Sequence, residues 1–239
     1  MLSQGINIWG GEQFAPLFGD IKRFFTEIQS SLSQRYTIPT VTLGAADFEL
    51  EVDALITNED VFGLLTLTSL TNNNPVAGFG TGAGGTIRMF HRDDIGAVAI
   101  NVTVPNTGQL STFGLKYLSG VLTFHMDGAL IGTSPVSLGS TTVALNGLGA
   151  LFRTTTDQFN SGFIANLKIT NGTLTHDLRF DEDFGTTSIA VNKGSLGAAG
   201  NATAVNITSS ELFTLHTDTD PDEWRNFDDT IIIPIAPQV

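Results

Sequence analysis

The segment that most constrains this chain is an alternating stretch closed on itself by a turn, residues 159–180 (FNSGFIANLKITNGTLTHDLRF). Phe163, Ala165, Leu167 and Ile169 share one face of a period-two pattern, and Ile164, Asn166, Lys168 and Thr170 share the other. A half-buried antiparallel strand requires that alternation. Asn171-Gly172 follows, a pair that accepts positive φ at both centres of a type I′ turn. The return strand runs through Leu174, Asp177, Leu178 and Phe180. Residues 121–132 (VLTFHMDGALIG) repeat the design around Asp127-Gly128. Two such hairpins in a Gly-punctuated chain predict an all-β antiparallel sandwich.

Other segments extend the pattern. Residues 48–56 place Phe48, Leu50, Val52, Ala54 and Ile56 on one inward face, and 62–70, 87–91, 95–104 and 110–118 supply further strands. Residues 141–152 lead through a polar loop into the hairpin. Residues 72–85 have no periodicity and read as a Gly- and Asn-rich surface loop. Its run Gly78 to Gly85 lacks the Lys and the strand-to-helix context of a phosphate loop. Residues 185–206 loosen into Gly, Ala, Ser and Asn.

The N-terminal part reads differently. Phe14, Leu17, Phe18, Ile21, Phe24, Phe25, Ile28 and Leu32 follow a single helical face, with Lys22, Arg23 and Glu27 opposite. Pro16 fits only the first turn, so the spacing predicts an amphipathic helix from about Ala15 to Gln34. Such a helix either packs on its own sandwich or forms a bundle or a docking element. The second reading makes these eight residues an oligomerisation or attachment surface. At the other end, Ile231, Ile232 and Ile233 form an apolar run before Pro234 and Pro237. It reads as an extended arm laid on a neighbour, or as the last strand of its own sheet. The expected organisation is an N-terminal attachment segment over 1–40, the sandwich over 41–215 and an acidic turn with the arm over 216–239.

Three segments carry a resemblance. SGFIANLKITNG resembles the closing strand of laminin-G-like, concanavalin A-like domains. GVLTFHMDGALIGT resembles the hairpin of that superfamily in which a strand ends in Asp-Gly, and ADFELEVDAL resembles its early core strand. The resemblance implies a concanavalin A-like jelly roll. LRFDEDFGTTSIAVNKGSLGAAGNATAVNIT is similar to the tails that follow such domains in bacteriophage virion proteins. It implies a non-enzymatic virion structural protein at the tail or capsid surface, with a lectin-like sandwich facing host glycans. Its partners would be other virion proteins and copies of itself, as in a trimer. A capsid decoration or cement protein without sugar binding is the alternative.

Composition narrows the chemistry. At 239 residues, with 41% hydrophobic and 15% charged, the chain can bury a sizeable core. Eleven basic residues against 24 acidic ones give a net charge of −13, which argues against nucleic acid and anionic membrane as partners. With no cysteine, disulfides, thiolate metal sites and a cysteine nucleophile are excluded. The first residues lack the basic and apolar regions of a signal peptide, so synthesis in a host cytoplasm is expected, with the sequons at Asn101, Asn171, Asn201 and Asn206 unmodified.

Three constellations have chemical potential. Glu49, Glu51 and Asp53 share one face of a strand, as the paired carboxylates of glucanases in the resembled superfamily do, but in permuted order. A retaining pair also needs its carboxyls about 5–5.5 Å apart. The expectation is a solvated strand face, with a glycan-cleaving enzyme as the rival. Asp218, Asp220, Asp222 and Asp229 have calcium-loop spacing, yet Glu223 stands where the turn glycine belongs. A plain acidic turn is expected there, and likewise at Asp181, Glu182 and Asp183. His91, His125, His176 and His216 form no zinc-binding pair. No cofactor and no metal are expected.

Overall fold

The computed structural model describes residues 21–44, 46–57, 63–70, 75–92, 98–106, 110–135, 137–138, 142–153, 155–180, 189–207, 211–215, 223–226 and 231–234. They form eighteen strands: β1 (Ile21–Ile28), β2 (Arg35–Leu43), β3 (Phe48–Ile56), β4 (Leu65–Ser69), β5 (Pro75–Gly82), β6 (Thr86–Arg92), β7 (Val98–Pro105), β8 (Ser111–Leu118) and β9 (Val121–Met126); then β10 (Ala129–Thr133), β11 (Val143–Leu148), β12 (Gly162–Asn171), β13 (Thr173–Arg179), β14 (Ile189–Ala190), β15 (Ala202–Val205), β16 (Glu211–Leu215), β17 (Glu223–Asn226) and β18 (Ile231–Pro234). Two antiparallel sheets result. The larger runs β10-β9-β8-β3-β12-β1-β16-β17-β18, with β13 also on β12; the smaller runs β14-β15-β2-β11-β4-β5-β6-β7.

The core lies between the sheets, as the alternation of β3 dictates. Phe48, Leu50, Val52, Ala54 and Ile56 are all buried, as expected. Rings cross the gap: Phe79 of β5 lies 5.4 Å from Phe113 and 5.6 Å from Phe124, and Tyr36 of β2 lies 4.2 Å from Phe180. Among the described residues no helix is long and apolar enough to cross a membrane.

The expected amphipathic helix is not formed where the chain is described. Residues 21–28 are β1, and the chain then reverses through a 3-10 turn at Ser30–Leu32 into β2. Ile21, Phe24, Phe25, Thr26 and Ile28 are β-branched or aromatic, which costs little in a strand and more in a helix. Pairing to β16 along residues 21–25 and to β12 along 26–28 overrides the local 3.6-residue spacing. Phe14, Leu17 and Phe18 lie outside the described residues. Ile28 belongs to the protein's own core at 2% exposure, whereas Leu32 is 52% exposed. Strand β2 runs through residue 40, and both N-terminal strands are members of the sandwich sheets. At the other end Ile231, Ile232 and Ile233 lie in β18, which pairs with β17 of the same chain and ends the larger sheet.

Three further expectations need correction. Residues 75–82 are a fully buried strand and not a surface loop. Glycine is required there for close approach, since a Cβ on Gly78 would lie 2.2 Å from the Leu65 carbonyl oxygen. In β12 the register on β3 shifts between Ile164 and Asn166, so Ala165 is a bulge. The inward set is therefore Ile164, Leu167 and Ile169, with Phe163 only half-buried. The two turns also differ. Asp127 and Gly128 both have positive φ, as a type I′ turn demands, but at Asn171-Gly172 only Gly172 does.

Candidate functional site

The outward face of β3 carries the three carboxylates. Register sets Glu49 opposite Lys116, Glu51 opposite Gly114 and Asp53 opposite Thr112 of β8; on the other side stand Thr170, Lys168 and Asn166 of β12. Lys116 Nζ lies 3.0 Å from Glu49 and 3.6 Å from Glu51. Asp53 accepts from Thr112 Oγ1 at 2.6 Å and from Asn166 Nδ2. The hydrogen bond to Glu49, with the charges of Glu49 and Glu51, holds the Lys116 ammonium above its ordinary value, against the opposing effect of burial. A glycosidase pair separates its two carboxyls into unlike environments. Here Glu49 and Glu51 share one ammonium, and the strip is a cross-strand ladder of paired groups.

The histidines are dispersed. His91 is buried with Nδ1 2.6 Å from Ser134 Oγ, and His125 Nε2 is 3.0 Å from Thr123 Oγ1. His216, the acidic run at 181–183 and Asp218, Asp220, Asp222 and Asp229 lie outside the described residues. Among the described residues no group of three His, Cys, Asp or Glu could hold a metal.

A second site is one that sequence reasoning missed. A cleft of about 340 Å³ opens where β2 faces the tip of the β12–β13 hairpin, lined by Pro39, Thr40, Val41, Thr42, Asn171, Thr175, His176, Leu196 and Ala199. Register in the hairpin shifts between Ile169 and Thr170, so Thr175 is the extra residue and His176 pairs with Ile169 on the inward face. Thr175 Oγ1 donates to the Ile169 carbonyl at 3.1 Å. The third wall is the segment 192–200, which lies flat on β13. A Cβ on Gly194 would sit 2.4 Å from the Thr175 carbonyl oxygen, and one on Gly200 would sit 2.5 Å from Asn192 Nδ2.

Asn192 fastens that segment. Its Oδ1 accepts from the backbone N–H of Asp177 at 2.8 Å and of Gly194 at 3.0 Å; its Nδ2 donates to the carbonyls of Thr175 and Gly197. The composition that read as a loosened tail is therefore the signature of close packing. None of the cleft residues carries a carboxylate or an ammonium. Pro39, Val41 and Leu196 offer apolar surface beside the hydroxyls of Thr40 and Thr42 and the amide of Asn171. That combination suits a neutral ligand with an apolar face and several hydroxyls.

No family model matches the sequence, and no curated protein matches it. Solved structures do match the fold. A candidate carbohydrate-binding protein from Bacteroides ovatus aligns with a TM-score of 0.51 at 11% identity, covering 91% of this chain and 62% of that one. That agreement shows the sandwich. The IT-sialidase CBM40 of Ruminococcus gnavus, bound to α2,3-sialyllactose, gives a TM-score of 0.43 at 15% identity over 64% of this chain and 93% of its own. The heptameric SAP-like pentraxin of Limulus polyphemus gives 0.43 at 12% over 63% and 75%.

Proposed function

We propose that this chain is a non-enzymatic glycan-recognition sandwich of a phage particle, displayed at its tail or capsid surface among other virion proteins. The observation that carries the glycan reading is the cleft, where an uncharged, mostly apolar hollow is rimmed by hydroxyls and an amide. A sugar ring presents the matching surfaces, a C–H face and peripheral hydroxyls. The sandwich of the candidate carbohydrate-binding protein supports the reading, and the phage setting rests on the resemblance of residues 178–208 to virion tails. The paired carboxylates of β3 serve the sheet and not hydrolysis.

A glycan array probed with the wild type and with Val41→Trp, which fills the cleft, tests the site. The wild type should bind neutral glycans, and the variant should lose binding while melting at an unchanged temperature. Equal binding by both would move recognition elsewhere, and no binding by either would leave the decoration role. A chromogenic glucan assay on the wild type and on Glu49→Gln with Glu51→Gln should show no turnover in either. Turnover that the double variant abolishes would make the chain an enzyme.

A further inference from the structure

The floor of the cleft holds a group set up to respond to one proton. His176 is 1% exposed. The Thr175 hydroxyl spends its hydrogen on the Ile169 carbonyl, so toward His176 Nδ1, 3.1 Å away, it can only accept. That assigns the neutral tautomer with hydrogen on Nδ1 and a bare lone pair on Nε2. Nε2 has no hydrogen-bond partner. Gly200 closes over it, since a Cβ there would lie 3.0 Å from both Nε2 and Cδ2. The segment that carries Gly200 also carries Leu196 and Ala199, which form one wall of the cleft. Besides Asn192, it is held to β13 by backbone bonds from Lys193 to Asp177, Ser195 to Leu174 and Leu196 to Thr175.

We propose that His176 is a proton-operated latch: protonation releases segment 192–200 from β13 and removes a wall of the cleft, so that ligand is held at neutral pH and let go in mild acid. The proposal rests on the glycan-binding reading of this cleft. A proton on Nε2 would place an N–H and a positive charge in a dry contact with no acceptor, and that charge is hydrated only when the segment lifts. Among the described residues the surroundings offer no unpaired anion in compensation. Asp177, the next residue on β13, pairs with Arg179, 3.2 Å away. On β12 the residue opposite Asp177 is Lys168. Segment 192–200 contributes Lys193, β2 contributes Arg35 and Tyr36, and β14, β15 and residues 197–200 contribute no titratable group.

Burial holds the imidazole below its ordinary value. A lowered folded-state value means that this contribution to stability is whole above the ordinary imidazole value of about 6.5 and is lost as pH falls below it.

Hydrogen–deuterium exchange on the full chain without glycan tests the latch. Rates at about pH 7.5 and about pH 5, corrected for intrinsic chemistry, would be compared for segment 192–200 and for β3. If only the open form takes up the proton, opening should increase by up to about thirtyfold over that interval. The increase should be confined to the segment and absent in His176→Gln. Titrating the His176 ring resonances of the wild type by NMR should show protonation in step with opening, which keeps the test decisive if the variant misfolds. The latch is overturned if the segment opens equally at both pH values, if His176→Gln opens just as the wild type does, or if His176 titrates with the segment closed. The two readings separate cleanly. A chain that opens in acid but binds no glycan at pH 7.5 loses the glycan reading alone, and one that holds glycan equally at both pH values loses the latch alone.

Discussion

Replacing Gly162 by Ala strikes the point where three strands of the larger sheet meet. Gly162 pairs with Ile28 of β1 on one side and Ile56 of β3 on the other. Its φ is +141°, and a Cβ would fall 1.9 Å from the Leu55 carbonyl oxygen, 2.9 Å from its carbon and 3.1 Å from Ile56 Cα. All three obstacles are backbone, so no rotamer change relieves them, and β3 would have to retreat by more than an ångström. Strain at positive φ costs about 1–2 kcal/mol. Two or three ladder hydrogen bonds lost in the retreat add about 1 kcal/mol each. A total of about 3–5 kcal/mol lowers the Tm of a chain this size by roughly 6–20 °C.

Two reference variants isolate the contributions. Gly172 has φ +73° with nothing within 4 Å of a Cβ, so Gly172→Ala should cost about 1 kcal/mol from strain alone. Gly44 has neither positive φ nor a neighbour, and Gly44→Ala should be neutral or add about 0.4–1 kcal/mol through the unfolded chain. Thermal melts followed by circular dichroism should therefore order the three as Gly44→Ala, Gly172→Ala, Gly162→Ala from most to least stable. If Gly162→Ala melts within about 2 °C of Gly44→Ala, the register joining β1, β12 and β3 is wrong.

Asn192→Ala removes an acceptor of two backbone N–H groups and a donor to two carbonyls. It should cost about 2–4 kcal/mol in the local stability of segment 192–200, read as faster amide exchange there than in β3. Lys116→Met should lower stability by no more than about 1 kcal/mol, because the pair with Glu49 and Glu51 is about a third exposed. Since Glu49 holds the Lys116 ammonium above its ordinary value, the pair stabilises the fold below that value and is lost as pH rises through the raised one. The Tm gap between wild type and variant should thus be steady around neutrality and close at strongly alkaline pH and in high salt.

Much of the sandwich was legible in the chain. The alternation of Phe48, Leu50, Val52, Ala54 and Ile56 specifies an inward face because side chains on a strand alternate whatever surrounds them. Asp127-Gly128 specifies its hairpin because few residue pairs accept positive φ twice. The absence of cysteine and the excess of acid are likewise facts of sequence, and the chemistry they exclude needed no coordinates.

Tertiary structure decided the rest. The spacing from Ile21 to Ile28 satisfies a helical face, yet backbone pairing with β12 and β16, contributed from far along the chain, makes it a strand. The Gly-rich run within 75–82 is a strand because Leu65 lies too close for a side chain, a proximity that composition cannot express. The single-residue bulges at Ala165 and Thr175 break the alternation, and the second leaves Leu174 exposed while His176 stays in the core with Leu178 and Phe180. The cleft depends on all of this. Its residues come from 39–42, 171–176 and 196–199, stretches with no common periodicity. Sheet pairing and the fastening of Asn192 against β13 bring them together.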